Sequence, residues 1–318
     1  MFKLFVTTVI AFAMQTVFAQ GYPSQTVRLI VPFAPGGSAD GLGRAMADRL
    51  GAALGQTFVV ENRPGASGTI GAALVAKAGP DGYTLFLMPG THVLGPRLMK
   101  SLPFDAFADF TPISTLVFVP TVIVVGKDQP FNTLGEMLLF GKANRGKVAV
   151  GVSEISGRLT VEAINQSGNF GLLHANYKGG GPIGIDVAGG HLPAGVVGAA
   201  SIMGQYKEGR IKILAVTSPK RLASIPEVAT VAEALNIPGF DLQTWYALTG
   251  PKGLPSAIVE RLQSVIPRIL AEPGMKEKLS ILGVVAAENS TSAALSKLMR
   301  SYADINGKLL DAAGIDPE

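Results

Sequence analysis

Cysteine is absent from this 318-residue chain. Disulfides, thiolate nucleophiles and cysteine-ligated metals are therefore excluded. Histidine is scarce as well: His92, His174 and His191 stand far apart and form no H-x-x-x-H pair. Of the three, only His92 falls on an expected ligand-facing loop. G-x-S-x-G, S-x-x-K and paired-carboxylate motifs are missing too, so no common hydrolytic constellation is legible and no metal site is expected. Charged residues make up only 16% of the chain, and the net charge of +4 is not gathered into any Lys/Arg cluster. That pattern does not suit nucleic acid. No segment after the N-terminus reaches membrane-helix length, since the strongest apolar run, Thr115 to Val125, is broken by Pro120.

The N-terminus carries an export pattern. Lys3 precedes the short apolar run Leu4 to Ala13, and Val17-Phe18-Ala19 places small residues where a secretory peptidase cuts. Residues 1–19 are read as a signal peptide cleaved after Ala19, and the mature chain as exported and soluble. An exported chain without disulfides suits a bacterial periplasm. With 47% hydrophobic residues over some 300 positions, the chain exceeds what one core usually organises, and two lobes are expected.

Strand and helix patterns alternate. "TVRLIVPF" (Thr26 to Phe33) is β-branched and apolar, as a strand buried on both faces should be. Leu42, Ala45, Met46, Leu50, Ala53 and Leu54 then follow a helical period, with Ser38 placed to cap the helix and Gly55 to end it. "TFVVEN", a helix over Thr69 to Ala78, and "YTLFLMP" complete a β-α-β-α-β unit of an open parallel sheet. The theme restarts after Pro120. Strands "KVAVGVS" and "LLHANYK" alternate with helices, the first from about Arg158 to Gln166, and "HLPAGVVGA" and "RIKILAVTS" read as further strands. After "DLQTWYALTGP" come three helices, over Ser256 to Leu270, Pro273 to Leu282 and Ser292 to Ala312.

In such sheets ligands bind beyond the carboxyl ends of the strands. Phe33 to Ser38, Asn62 to Gly71 and Pro89 to His92 share that edge in one half, and Gly151 to Gly157 and Tyr177 to Pro182 in the other. Two glycine-rich edges with helix N-termini make a cleft suited to negative charge. A plainer reading of Gly36 and Gly37 is a tight strand-to-helix turn that needs positive φ. Two phosphate-loop patterns fail on inspection. "GKANRGKV" has Val148 where Ser or Thr is required, and "GGGPIG" lacks an acidic residue at ribose-binding spacing. An exported Rossmann-like enzyme therefore remains a weak rival, with no cofactor to assign.

The segments "YPSQTVRLIVPFAPGGSADGLGR" (Tyr22 to Arg44), "VVENRPGASGTIGAALVAKAGPDGYTLF" (Val59 to Phe86) and "YKGGGPIGIDVAGG" (Tyr177 to Gly190) resemble the Bug family, the extracytoplasmic solute-binding receptors of tripartite tricarboxylate transporters. "LPFDAFADFTPIS", "ILAVTSPKRLASIPEVATVAEA" and "TWYALTGPKGLPSAIVERL" extend the likeness in the same order over nearly the whole mature chain. The resemblance implies an α/β, two-lobed periplasmic binding protein (Venus flytrap, type II). It would have mostly parallel central sheets, two inter-lobe crossover strands and no catalytic activity or cofactor. The crossings are expected near Val119 to Val124 and Leu242 to Leu248. Lobe 1 would then span residues 20–121 plus 243–318, and lobe 2 residues 122–242.

The partners so implied are a small carboxylate or related organic ligand and membrane transporter subunits, with the receptor a monomer. An orphan receptor feeding a signalling partner is the second possibility. By matching position, Phe33, Ala34, Gly36, Gly37 and Asp40 form the first-lobe clamp, Thr91 and His92 the loop after the third strand, and Tyr177, Lys178, Gly179 and Gly180 the second-lobe segment. The family's Ser-x-x-His-Leu turn is altered here. "GVSEISGRLTVEAI" keeps Ser153, Ser156 and Gly157 but has Leu159 and Thr160 in place of His-Leu, and it adds Arg158. Arg158 is expected either to pair with a ligand carboxylate through its guanidinium or to point to solvent from the first helical turn. Tyr177, Phe33 and Trp245 are candidates for an apolar wall, although a tryptophan such as Trp245 more often belongs to a hinge or core.

Overall fold

The computed structural model describes residues 21–288, 291–315 and 317; the expected signal peptide lies outside them. Strand β1 (Val27–Val31) shows why its sequence is apolar on both sides. Leu29 and Val31 pack into one cluster with Leu42, Met46 and Leu50 of the helix Ser38–Leu54, while Ile30 enters another with Ala72 and Phe86. A strand sandwiched between helices has no wet face, so alternation disappears.

Two sheets result. The first runs in the order β11 (Val285–Ala286), β4 (Phe110–Val119), β10 (Thr244–Pro251), β3 (Thr84–Pro89), β1, β2 (Phe58–Asn62). The second runs β7 (Leu173–Asn176), β6 (Ala149–Val152), β8 (Ala194–Gly198), β5 (Thr121–Gly126), β9 (Ile211–Val216). These sheets form the cores of two α/β lobes. The sheets are mixed, however, rather than mostly parallel. β2-β1-β3 and β7-β6-β8 are parallel, whereas β10 runs against β3 and β4, β11 against β4, and β5 against β8 and β9. The βαβ pattern accounts for the parallel parts; β5 and β10, each entered from the opposite sheet, run the other way.

Pro120 separates β4 of the first sheet from β5 of the second. Lacking an N–H, it cannot continue a ladder. The chain returns to the first sheet between Val216 and Thr244. The two passages are stitched together. Thr217 N–H donates to the Thr121 carbonyl (3.0 Å), Thr121 N–H donates to Thr217 Oγ1 (3.0 Å), and Leu242 N–H donates to the Thr217 carbonyl (3.3 Å). The lobes also touch elsewhere. Ile155 and Leu159 of the helix Ile155–Gly168 enter the apolar cluster of Leu295, Met299 and Tyr302 on the helix Ser292–Ala312.

Two local expectations change. Gly37, not Ser38, is the N-cap of the helix Ser38–Leu54, and no side chain caps it. The helix expected from about Arg158 begins at Ile155 and ends at Gly168. Gly55, by contrast, ends its helix in the left-handed conformation (φ 75°), donating its N–H to Gly51, as a C-terminal glycine does.

Candidate functional site

The parallel strands β6, β7 and β8 deliver their carboxyl ends to one edge of the second sheet. The segments that follow them meet at a pocket of about 190 Å3 between the lobes. Ser153, Glu154, Ser156 and Gly157 come from the first segment, Lys178, Gly179 and Gly180 from the second, and Gly198 and Ser201 from the third. The facing wall is Ser38, Val119, Thr244 and Tyr246, with Thr121 beside the crossing. That size is below the roughly 300–1,000 Å3 of drug-sized sites, and it suits a small metabolite.

Electrostatically the pocket collects helix starts. The helices Ser38–Leu54, Ile155–Gly168 and Gly180–Ala188 all begin at its wall, and none of the three has a side-chain cap. The first N–H groups of a helix lack intrahelical partners and carry partial positive charge. Lys178, exposed and in no ion pair among the described residues, adds a full charge. Glu154 also lines this wall; the residue keeps exposed surface, and partial desolvation by its surroundings pushes its carboxyl up from the ordinary value.

The expected first-lobe clamp has a different character. Ala34, Gly36 and Gly37 lie exposed on the lip, and Gly36 has the positive φ (91°) of the plainer reading while Gly37 does not. Phe33 reaches the pocket only through Tyr246, which it meets edge-on at 6.4 Å. Asp40 is buried and turned inward, accepting from Gly36 N–H (3.0 Å), Arg44 Nε (3.0 Å) and Asn62 Nδ2 (3.0 Å). These bonds shape the loop. The Arg44 and Gly36 bonds hold the pKa of Asp40 down at about 2. A lowered folded pKa means that the unfolded chain binds the proton first. Asp40 therefore contributes stability above its ordinary value near pH 4, and this is lost as pH falls through about 2. Urea midpoints of wild type and Asp40→Asn should differ at pH 6 and converge towards pH 2; a constant gap would remove this role.

Thr91 and His92 lie outside the pocket lining. His92 stacks on Phe104 (5.2 Å between ring centres) and meets Phe86 and Phe110 edge-on. Burial pulls its pKa down to about 4 against a hydrogen bond to the Ala106 backbone, so it stays neutral in an aromatic cluster. Tyr177 is also outside; its hydroxyl donates to the Asp186 carboxylate (2.7 Å), tying the strand end to the helix Gly180–Ala188. Because the preceding helix starts at Ile155, Arg158 falls one turn along it and away from the pocket lining, where its charge helps to lower the pKa of His174 on the edge strand β7. Trp245 is fully buried and belongs to the core.

Of the expected residues, Ser153, Ser156, Lys178, Gly179 and Gly180 are brought together. Ser38 and Glu154 also lie on the edges expected to face a ligand, whereas sequence reasoning missed Thr121, Gly198, Ser201, Thr244 and Tyr246 as wall residues. The segment Gly198 to Ser201 had a signal, because it follows a strand at its carboxyl end like the others. Larger grooves exist, about 640 Å3 beside Arg49 and Lys278 and about 370 Å3 beside Phe118 and Trp245, but neither is lined by these strand ends. Among the described residues no group of three His, Asp or Glu could hold a metal, and no helix is long and apolar enough to cross a membrane.

Comparison with known proteins identifies the family to which such a fold belongs. The model of the tripartite tricarboxylate transporter family receptor matches residues 42–315. Protein BugT of Bordetella pertussis is 32% identical over 296 residues, covering 91% of this chain and 90% of BugT. The structure of the periplasmic binding protein BugD is 31% identical with a TM-score of 0.76, covering 93% of this chain and all of that one. An R. palustris protein, Rpa4515, solved with adipate, is 28% identical with a TM-score of 0.79, again covering 93% of this chain and all of that one.

Proposed function

The chain belongs to the tripartite tricarboxylate transporter receptor family, and we propose that it holds its ligand at the inter-lobe pocket, through main-chain N–H groups and Lys178. The family is one of periplasmic receptors rather than enzymes, and its members capture small carboxylates. The protein is accordingly a solute-binding receptor. The observation that carries the site is the meeting of two second-lobe helix starts, at Ser156 and Gly180, beside the one lysine of the pocket wall. A carboxylate seated there satisfies open donors and opposes the helix dipoles. Contacts from Ser38, Thr244 and Tyr246 across the pocket let the ligand favour the arrangement in which both lobes grip it. In the finer reading, the chain is cleaved after Ala19, acts as a monomer and hands its cargo to the membrane subunits of a tripartite transporter.

A thermal-shift screen of the mature chain with mono-, di- and tricarboxylates and amino acids tests the site. An acid at ~100 times its Kd adds roughly 2.7 kcal/mol of stability. Lys178→Ala should weaken that acid about tenfold, the loss of one charge-assisted contact. A screen in which no acid shifts the midpoint, or an acid whose affinity ignores Lys178, would refute it.

A further inference from the structure

The pocket built for an anion contains a carboxylate. Glu154 is the N-cap residue of the helix Ile155–Gly168, yet its side chain does not cap that helix. No hydrogen bond or ion pair from any described residue reaches its carboxylate, and Lys178 makes no ion pair with it. The charged side chains that line the pocket are these two alone. The groups that sense the charge of Glu154 from neighbouring elements are the phenols of Tyr246 on β10 and Tyr302 on the helix Ser292–Ala312, both neutral. Glu154 keeps exposed surface at the pocket, and its carboxylate, neutralised by no cation of the described residues, stands open to a cationic group of a ligand.

We infer that Glu154 selects the ligand: it receives an ammonium group, so that the cargo is a small amino carboxylate. The inference rests on the carboxylate site proposed above. The ligand's carboxylate faces Lys178 and the helix starts, and its amine faces Glu154, which balances both charges of the wall. A second ligand carboxylate directed at Glu154 meets like charge instead.

Calorimetric titration of wild type and Glu154→Gln with pairs that differ only by the amine, L-alanine against propionate, L-aspartate against succinate and L-glutamate against glutarate, tests this. In wild type at least one amino acid should bind ten times or more tighter than its amine-free partner. Glu154→Gln should erase that preference, while the thermal midpoint of the free protein does not fall. Equal affinity within every pair that binds, or a preference for the amine that survives in Glu154→Gln, overturns the role of Glu154 and leaves the carboxylate site standing. Binding of none of the six acids to either protein overturns the role of Glu154, and the carboxylate site falls with it only when the wider acid screen is empty as well.

Discussion

Gly179→Asp should abolish ligand capture without harming the fold. Gly179 sits at the N-cap of the helix Gly180–Ala188 with an extended backbone (φ 163°, ψ 166°) that any residue can adopt. A Cβ built there meets only Pro182 Cδ at 3.9 Å. Aspartate is also a favoured N-cap, because its side chain can accept from an early helix N–H. The substitution thus installs a permanent carboxylate where the ligand's is expected. Two like charges about 4 Å apart at an effective dielectric of about 20 repel by about 4 kcal/mol. Affinity should fall by roughly a thousandfold by that measure, with an unchanged or raised melting midpoint, whereas Gly179→Ala should bind within a few-fold of wild type. Calorimetry reads the first and a thermal scan the second. Retained affinity in Gly179→Asp would place the ligand elsewhere.

Trp245→Ala should cost about 3–5 kcal/mol, the usual penalty for deleting a buried tryptophan. The indole is wholly inaccessible on the interior strand β10 and packs edge-on against Tyr302 at 5.8 Å. Its ring fits closely enough that a Cβ on Gly90 would lie 3.0 Å from it. The indole Nε1–H has no partner, so the loss is one of packing. Since Trp245 is the sole tryptophan, unfolding should be followed by circular dichroism in urea, where the midpoint falls. A shift under about 1 kcal/mol would mean that the cluster collapses into the space.

Much of this fold is written locally. β-branched runs, the helical spacing from Leu42 to Leu54 and the glycine at position 55 each specify their element through short-range geometry. Pro120 marks the passage between sheets for the same reason. The site was only half legible. Ser153, Ser156 and Lys178 to Gly180 follow strands in sequence, so the topology rule puts them on the edge where the pocket lies. Tyr246 and Thr244 reach the pocket because β10 runs antiparallel beside β4 and begins at the crossing, a tertiary fact without a local motif. Asp40 and His92 differ in the opposite sense, both lying outside the pocket lining. Hydrogen bonds to Gly36 and Asn62 engage the first side chain, and an aromatic cluster engages the second. Arg158 falls outside the pocket lining because the helix starts three residues earlier, placing its fourth residue where its charge acts on His174 of the edge strand.

A structure of the mature chain with its captured acid examines the core claim most directly. The account predicts a ligand carboxylate within about 2.7–3.2 Å of the backbone nitrogens of Ser156 and Gly180, with Lys178 beside it. An acid lodged instead in the groove by Phe118 and Trp245, with those nitrogens untouched, would contradict it.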